Sequence, residues 1–433
     1  MQRFLLLLLL PFALSGCIKD LIPDSVDFFY EEIPGSKHHG PNGTWWGYNQ
    51  SKIVRHGEVV YMYVVENDNL DTNQNPNAAN PSKLVIYRKE GDGAWQEGAG
   101  FNTSRPGNIL IDTTGVVHLI VFEPTYTDQN ENGSYGRLKH YWFPDAATGN
   151  ITSYQEEIII DNDGKYQGET VNIRVGASIG RDGTIVVSFG LNRSHQVWYL
   201  EPGWQKWQME YAGYQLGSDY YYPYVLAGRS GTGILAIQDD WTGENQPTLY
   251  QKTHYFERSN GTWSHESMAD LSSHALAPSR PQLVENSDIY EDDAQRIHLI
   301  YQTRTDPGDP WLNTFIHATR EGSGWMREEI SLTDKKTSWI RMLEIDGEMY
   351  YFCSSWDKLY FRKGDTGKFT RLKGPDIDGI YLYLAAPRGG TSADEAYIDL
   401  LLLNGNGNNY PHGKNYYVRI EKEAIRERRG DTR

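Results

Sequence analysis

Cysteine is nearly absent from this 433-residue chain, where Cys17 and Cys353 are the only two. A disulfide-stapled fold is therefore excluded, and so is a zinc site built on cysteine pairs. Long apolar runs are missing beyond the N-terminus, so no later segment offers the roughly 20 apolar residues that a spanning helix needs. Net positive charge is missing as well. The formal charge of −16 argues against nucleic acid and anionic membrane surfaces as partners. It also disfavours a polyanionic ligand unless cations are gathered locally. No phosphate loop, Cys/His metal array or Gly-x-Ser-x-Gly elbow occurs. Stability must come from a large packed core.

What is present begins with an address. Arg3 precedes an apolar run from Phe4 to Leu14, too short to span a bilayer, that ends in Leu14-Ser15-Gly16-Cys17. This tetrapeptide resembles the lipobox of bacterial lipoproteins. The resemblance implies that residues 1–16 are a signal peptide and that Cys17 carries a lipid anchoring the chain to a membrane. No Asp follows Cys17, which points to the outer membrane of the cell envelope. With Cys17 acylated, Cys353 is left alone in the apolar run Met349–Cys353, where a buried, inert thiol is expected. The 30 Tyr and 13 Trp suit β-strands and carbohydrate stacking alike.

Organisation emerges from a search for recurring apolar runs. They occur at Val59–Val65, Val116–Phe122, Ile185–Phe189, Ile234–Ile237, Ile297–Tyr301, Met349–Cys353 and Tyr397–Leu403. Most follow a turn signal: His56-Gly57, Thr114-Gly115, Asp182-Gly183, Thr232-Gly233 or Asp346-Gly347. Another strand-like segment precedes each turn, which reads as a hairpin. After most hairpins comes an aromatic strand, a polar turn, then Gly and an aromatic, as in Tyr87-Arg88 to Gly93 and Trp95. Seven four-stranded units predict an all-β, seven-bladed propeller forming one domain over residues 44–420. Two β-sandwiches would not repeat one phase along the whole chain. Residues 17–43 are expected to be a tether, with 26–32 supplying an outer strand that closes the ring. Residues 421–433 are charged and expected to fray, and the chain is expected to be monomeric.

In a propeller the innermost strand starts, and the second strand ends, on one face. Residues at those positions line the mouth of the central funnel. Blade 1 offers Asn49 and Gln50, preceded by Trp46; blade 2 offers Arg105 and Glu123. Blade 3 supplies Arg174, Arg193 and His195, and blade 4 supplies Tyr222, Asp239 and Asp240. Blade 5 adds Arg280 and Arg304, and blades 6 and 7 add Trp339, Arg341 and Tyr383. Several arginines in one phase suit a carboxylate or sulfate ligand. His118 and His298 sit in near-identical strings, Val117-His118-Leu119-Ile120 and Ile297-His298-Leu299-Ile300, which marks a packing role. Asp128-Gln129-Asn130-Glu131-Asn132-Gly133 resembles the start of a calcium loop, but Lys139 occupies the twelfth position. A turn-forming cluster is the favoured reading; a structural Ca2+ stays open there, and no metal is expected at the funnel.

Gly47-Tyr48-Asn49-Gln50, Ser51–Val54, His56-Gly57 and Tyr61 resemble the opening of BNR-type seven-bladed propellers, a group that includes the ulvan lyases and the related rhamnosyl-glucuronate lyases and hydrolases. The resemblance extends loosely over all seven blades. It implies cleavage of a uronic-acid-containing polysaccharide such as ulvan by β-elimination. Such a site needs an Arg on the uronate carboxylate, a base for the C5 proton and an acid for the departing oxygen. Carried onto this chain, the resemblance matches Arg193 to the first role and Tyr222 to one of the other two; with the family's histidines absent, His195, which follows Arg193 after a second strand, is the candidate for the remaining role, in unassigned order. Asn49, Gln50, Trp46, Arg105, Arg174, Arg280 and Arg304 would bind substrate. Ser104-Arg105 and Glu123-Pro124 stand where that family places two further histidines. Two other classes stay open: a glycoside hydrolase using Glu123 with Asp239 or Asp240, and a non-catalytic glycan-binding lipoprotein.

Overall fold

A computed structural model describes residues 26–34, 44, 48–66, 82–103, 106–124, 136–161, 175–191, 194–203, 206–212, 219–229, 231–239, 250–274, 283–306, 312–322, 324–330, 332, 339–355, 358–364, 368–373, 381–388, 396–404 and 415–426. The chain opens with β1 (Val26–Asp27) and β2 (Phe29–Glu32). Blade 1 holds β3 (Ile53–His56), β4 (Val59–Glu66), β5 (Ser82–Glu90) and β6 (Gln96–Thr103). Blade 2 holds β7 (Asn108–Ile111), β8 (Val117–Pro124), β9 (Gly136–Phe143) and β10 (Gln155–Asp161). Blade 3 follows with β11 (Val175–Ile179), β12 (Ile185–Leu191), β13 (Ser194–Leu200) and β14 (Gln208–Ala212). Blade 4 is β15 (Asp219–Ala227), β16 (Thr232–Asp239), β17 (Tyr250–Ser259) and β18 (Thr262–Asp270). Blade 5 is β19 (Val284–Glu291), β20 (Ile297–Thr303), β21 (Thr314–Glu321) and β22 (Gly324–Ile330). Blade 6 is β23 (Arg341–Ile345), β24 (Glu348–Ser355), β25 (Lys358–Lys363) and β26 (Thr370–Lys373). Blade 7 is β27 (Tyr381–Ala385), β28 (Tyr397–Asn404) and β29 (Tyr416–Glu421). The result is a seven-bladed β-propeller of antiparallel meanders.

Turn chemistry sets the hairpins. Gly57, Gly115, Gly183 and Gly347 all sit at positive φ between the first two strands of their blades. Asp346 shares that region with Gly347 at +51° and +74°, the left-handed pair that an Asp-Gly hairpin turn requires. Thr232-Gly233 is different: both residues lie inside β16, and the turn falls at Gly228–Gly231, where Gly228 N donates to Gly231 O. The glycine pair before Thr232 carries the reversal because Gly231 takes a φ of +148°.

Blades stack face to face, so each central strand is buried on both sides and reads as an unbroken apolar run. Seven hydrophobic clusters fill the seven interfaces. Between blades 5 and 6, Ile300 and Phe315 meet Met342, Tyr351 and Cys353; Cys353 is a free, buried thiol. The ring closes by two devices. β2 pairs antiparallel with β29 as the outer strand of blade 7, while β1 adds a parallel fifth strand to blade 6. Across the seam between blades 7 and 1, Arg55 makes a bidentate pair with Asp399 at 2.6 and 2.8 Å. Tyr417 Oη donates to the same carboxylate. The segment expected to fray instead starts with a helical turn, α1 (Lys422–Arg426), because Ile425 docks into the blade 6–7 core.

The recurrent histidines form matched chains across two blades. In blade 2, His118 Nδ1 lies 3.0 Å from His140 Nε2, and His140 Nδ1 lies 2.9 Å from Glu157. In blade 5, His298 Nδ1 lies 3.0 Å from His317 Nε2, whose Nδ1 faces Glu328 at 3.2 Å. Asp292 accepts from the far side of His298 at 3.1 Å. Burial holds His140 down at about 4, against the opposing pull of Glu157. Above pH 6.5 both folded and unfolded chains carry it neutral, so its contribution to stability is complete. As pH falls, the unfolded chain takes the proton first and stability is lost. Between pH 6.5 and 5 the loss is expected to be about 2 kcal/mol. Urea unfolding across that window should show a shallower pH slope in His140→Gln; an unchanged slope would assign the effect elsewhere.

Candidate functional site

The funnel mouth is built on bulged inner strands. β15, β19 and β27 each shift register near their starts, at Tyr221/Tyr224, Asn286/Asp288 and Tyr381/Tyr383. Such bulges re-aim side chains without ending the strand. Tyr222 sits in the first of them at a φ of +50°, a left-handed conformation that a bulky residue adopts only where its surroundings enforce it. Its ring stacks on Tyr48 at 4.4 Å and 17°. Tyr48 in turn packs on Trp339 at 4.5 Å, and Trp339 stacks on Tyr383 at 4.6 Å. Tyr250 meets Tyr222 edge-on at 6.1 Å. An aromatic floor drawn from blades 4, 6 and 7 and the lead into blade 1 thus closes the mouth.

The segment under that floor crosses the axis. Asn49 Nδ2 donates to Val175 O of blade 3 at 2.9 Å and to Pro223 O of blade 4 at 3.0 Å. Gln50 Nε2 reaches Val175 O at 3.5 Å. Arg341 lies beneath and is 2 % exposed. It donates to Tyr48 O and Leu384 O, each at 2.6 Å, to Tyr224 Oη at 3.2 Å, and to Ser287 O. One guanidinium therefore ties blade 6 to blades 4, 5 and 7 and to the crossing segment. Asn49 and Gln50, expected to bind substrate, spend their amide donors on building the floor.

One wall carries charge. Arg304 Nη2 and Gln302 Nε2 both donate to Glu285 Oε2 at 2.6 Å, and Arg304 Nε donates to Asn313 at 2.6 Å. Arg304 is thus paired inside blade 5 rather than standing as an isolated cation. Burial pushes the Tyr48 phenol well above its ordinary range, and Tyr222 and Glu285 add to the shift. Tyr48 therefore stays protonated at neutral pH. Lys52 is buried below, and desolvation, then Arg341 and Arg388, pull its ammonium well below the usual range.

His195 lies on β13 opposite Gly190 of β12 and Ala212 of β14, and Asp239 closes β16. The side chains of both fall outside the described residues, as do Arg193, Arg105, Arg174, Arg280, Trp46, Asp240, Cys17 and the stretch 128–133. Glu123 is paired with Lys139 at 2.5 Å. Sequence reasoning missed Glu285 and Tyr250. The acidic residue in Val284-Glu285-Asn286, at the start of an inner strand, was the available signal for the first.

No protein-family model matches this chain, and no curated protein matches it in sequence. Solved structures do. An ulvan lyase of polysaccharide lyase family PL25, bound to a saccharide of glucuronate and sulfated rhamnose, superposes with a TM-score of 0.55 at 12% identity, covering 90% of this chain and 96% of that one. A second polysaccharide lyase gives 0.52 at 12% identity, covering 92% and 98%. At that identity the likeness establishes the fold: the chain has the propeller architecture of those enzymes over nearly its whole length.

Proposed function

We propose that this protein is a polysaccharide lyase that cleaves a uronic-acid-containing polysaccharide by β-elimination at the mouth formed around Tyr222. The observation that carries the reading is Tyr222 itself: a tyrosine held in a left-handed bulge at the funnel, against an aromatic floor. Support comes also from the architecture shared with two polysaccharide lyases, one solved with a uronate saccharide. In the step proposed, Arg193 neutralises the uronate carboxylate and so acidifies the C5 proton. His195 or Tyr222 removes that proton. Its electron pair forms the C4–C5 double bond as the C4–O4 bond breaks, and the other residue protonates the departing oxygen. No oxidant or water is consumed. Cys17 would carry the lipid that holds the enzyme on the outer membrane, and the propeller would act as a monomer.

The test follows absorbance in the unsaturated-uronide band while the chain from residue 18 meets ulvan and other uronic-acid polysaccharides. Rising absorbance is expected, with Arg193→Ala slowing it by about 10²–10³-fold. A flat trace with new reducing ends would identify a hydrolase instead. Binding with neither product would leave a glycan-binding protein.

A further inference from the structure

Blades 2 and 5 carry the same histidine chain with different ends, and the ends fix how many protons each chain needs. A neutral imidazole brings one N–H and one bare nitrogen, so a pair of them has two protons to share. In blade 2 two protons suffice. His140 Nδ1 donates to Glu157 at 2.9 Å, and its Nε2 accepts from His118 Nδ1 at 3.0 Å. His118 Nε2 is then bare; it has no hydrogen-bond partner among the described residues, and Asp112 stays 3.8 Å away.

In blade 5 a carboxylate stands within hydrogen-bond reach at both ends. Asp292 lies 3.1 Å from His298 Nε2, and Glu328 lies 3.2 Å from His317 Nδ1. Each of these contacts needs an N–H. The inner contact, His298 Nδ1 to His317 Nε2 at 3.0 Å, needs a third. With only two protons, either two bare nitrogens face each other or one faces a carboxylate. Thr319 Oγ1, at 3.4 and 3.2 Å from the inner nitrogens, has a single proton and covers one lone pair.

The charges around the chain favour the third proton. Arg296 pairs with Asp292, and Arg181 and Arg229 pair with Asp293 and Glu291. Arg362 of blade 6 lies 3.7 Å from Glu328. Glu344, which accepts the Asp293 amide, makes a fifth carboxylate against these four guanidinium groups. Tyr290, Tyr351 and the Cys353 thiol fill the interface beside them.

We propose that His298 and His317 share one proton beyond those of two neutral rings, and that this proton clamps blade 5 to blade 6 until alkaline solution removes it. The His317 ring, edge-on to Tyr351 at 5.4 Å, holds Glu328 where Arg362 reaches it. The seam so closed separates the wall of Glu285 and Arg304 from the strand of Arg341. Two flanking carboxylates raise the affinity for the proton above that in the unfolded chain. The stability it adds is complete below the unfolded value of about 6.5 and is lost as pH rises through the folded one. None of this rests on the chemistry at Tyr222.

The test is long-range 1H–15N NMR of the chain from residue 18, labelled at histidine, at about pH 7.5, one unit above the ordinary histidine value. One imidazole with both nitrogens protonated is expected, and it should be missing from His317→Gln. Glu328→Gln is the second variant. Its side chain is 43 % exposed, so the fold stands, and its amide can donate to Nδ1 of a neutral His317. Two protons then fill every contact, and the doubly protonated ring should vanish there too. Relative to that variant, the wild-type unfolding equilibrium constant in urea should rise by up to about tenfold per pH unit above 6.5. Two neutral rings in the wild-type protein would overturn the proposal. So would a doubly protonated ring that survives Glu328→Gln, or parallel pH curves for the two proteins.

Discussion

Tyr222→Phe should lower the rate of unsaturated-uronide formation by about 10²–10⁴-fold, the usual worth of a positioned acid or base. The substitution keeps the ring and hence the stack on Tyr48 at 4.4 Å, so the folded state should lose no more than about 1.5 kcal/mol, the worth of one hydrogen bond at a buried position. Losing the hydroxyl alone isolates proton transfer from packing. The measurement is an initial-rate comparison on whichever polysaccharide the wild-type protein cleaves, with a thermal melt beside it. A variant that keeps its full rate would remove Tyr222 from the chemistry and leave it as a floor tile. Activity lost together with a collapsed melt would instead mean that the hydroxyl serves the fold.

Arg341→Met is expected to cost roughly 3–5 kcal/mol of stability, the scale for removing one member of a buried charged network. The methionine fills much of the volume but strands the Tyr48, Leu384 and Ser287 carbonyls, all reached now by one guanidinium. Those groups belong to three different parts of the ring, so the loss should appear as loosening at the axis rather than in one blade. Urea unfolding of the two proteins measures it. Lysine should rescue poorly, because an ammonium cannot span acceptors arranged around a planar fork. A loss below about 1 kcal/mol would show that blade stacking alone holds the axis.

The parts of this protein legible in its residues are the local ones. The apolar strand run repeats seven times, most often behind a Gly-containing turn, and each repeat is decided by neighbours a few positions away. That sufficed for the blades, for most hairpins and for Tyr222 at an inner-strand start. It failed at Thr232-Gly233 because the real turn used the preceding glycines, which the same rule could equally have chosen.

Ring closure decided the rest. Asn49 meets carbonyls of blades 3 and 4, with 126 and 174 positions between donor and acceptor; Arg341 reaches Tyr48 across 293. No period or propensity reports such a pairing, since it depends on how seven interfaces sum to a closed circle. The same closure split the N-terminal segment between blades 6 and 7 and set Arg388 of blade 7 against Asp288 of blade 5. Composition, repeat and turn chemistry determined the propeller by themselves, because strands and hairpins are set by short-range sterics and apolar burial. The floor of the mouth was decided only by tertiary structure, because it is a meeting of residues that share nothing but their distance from the axis.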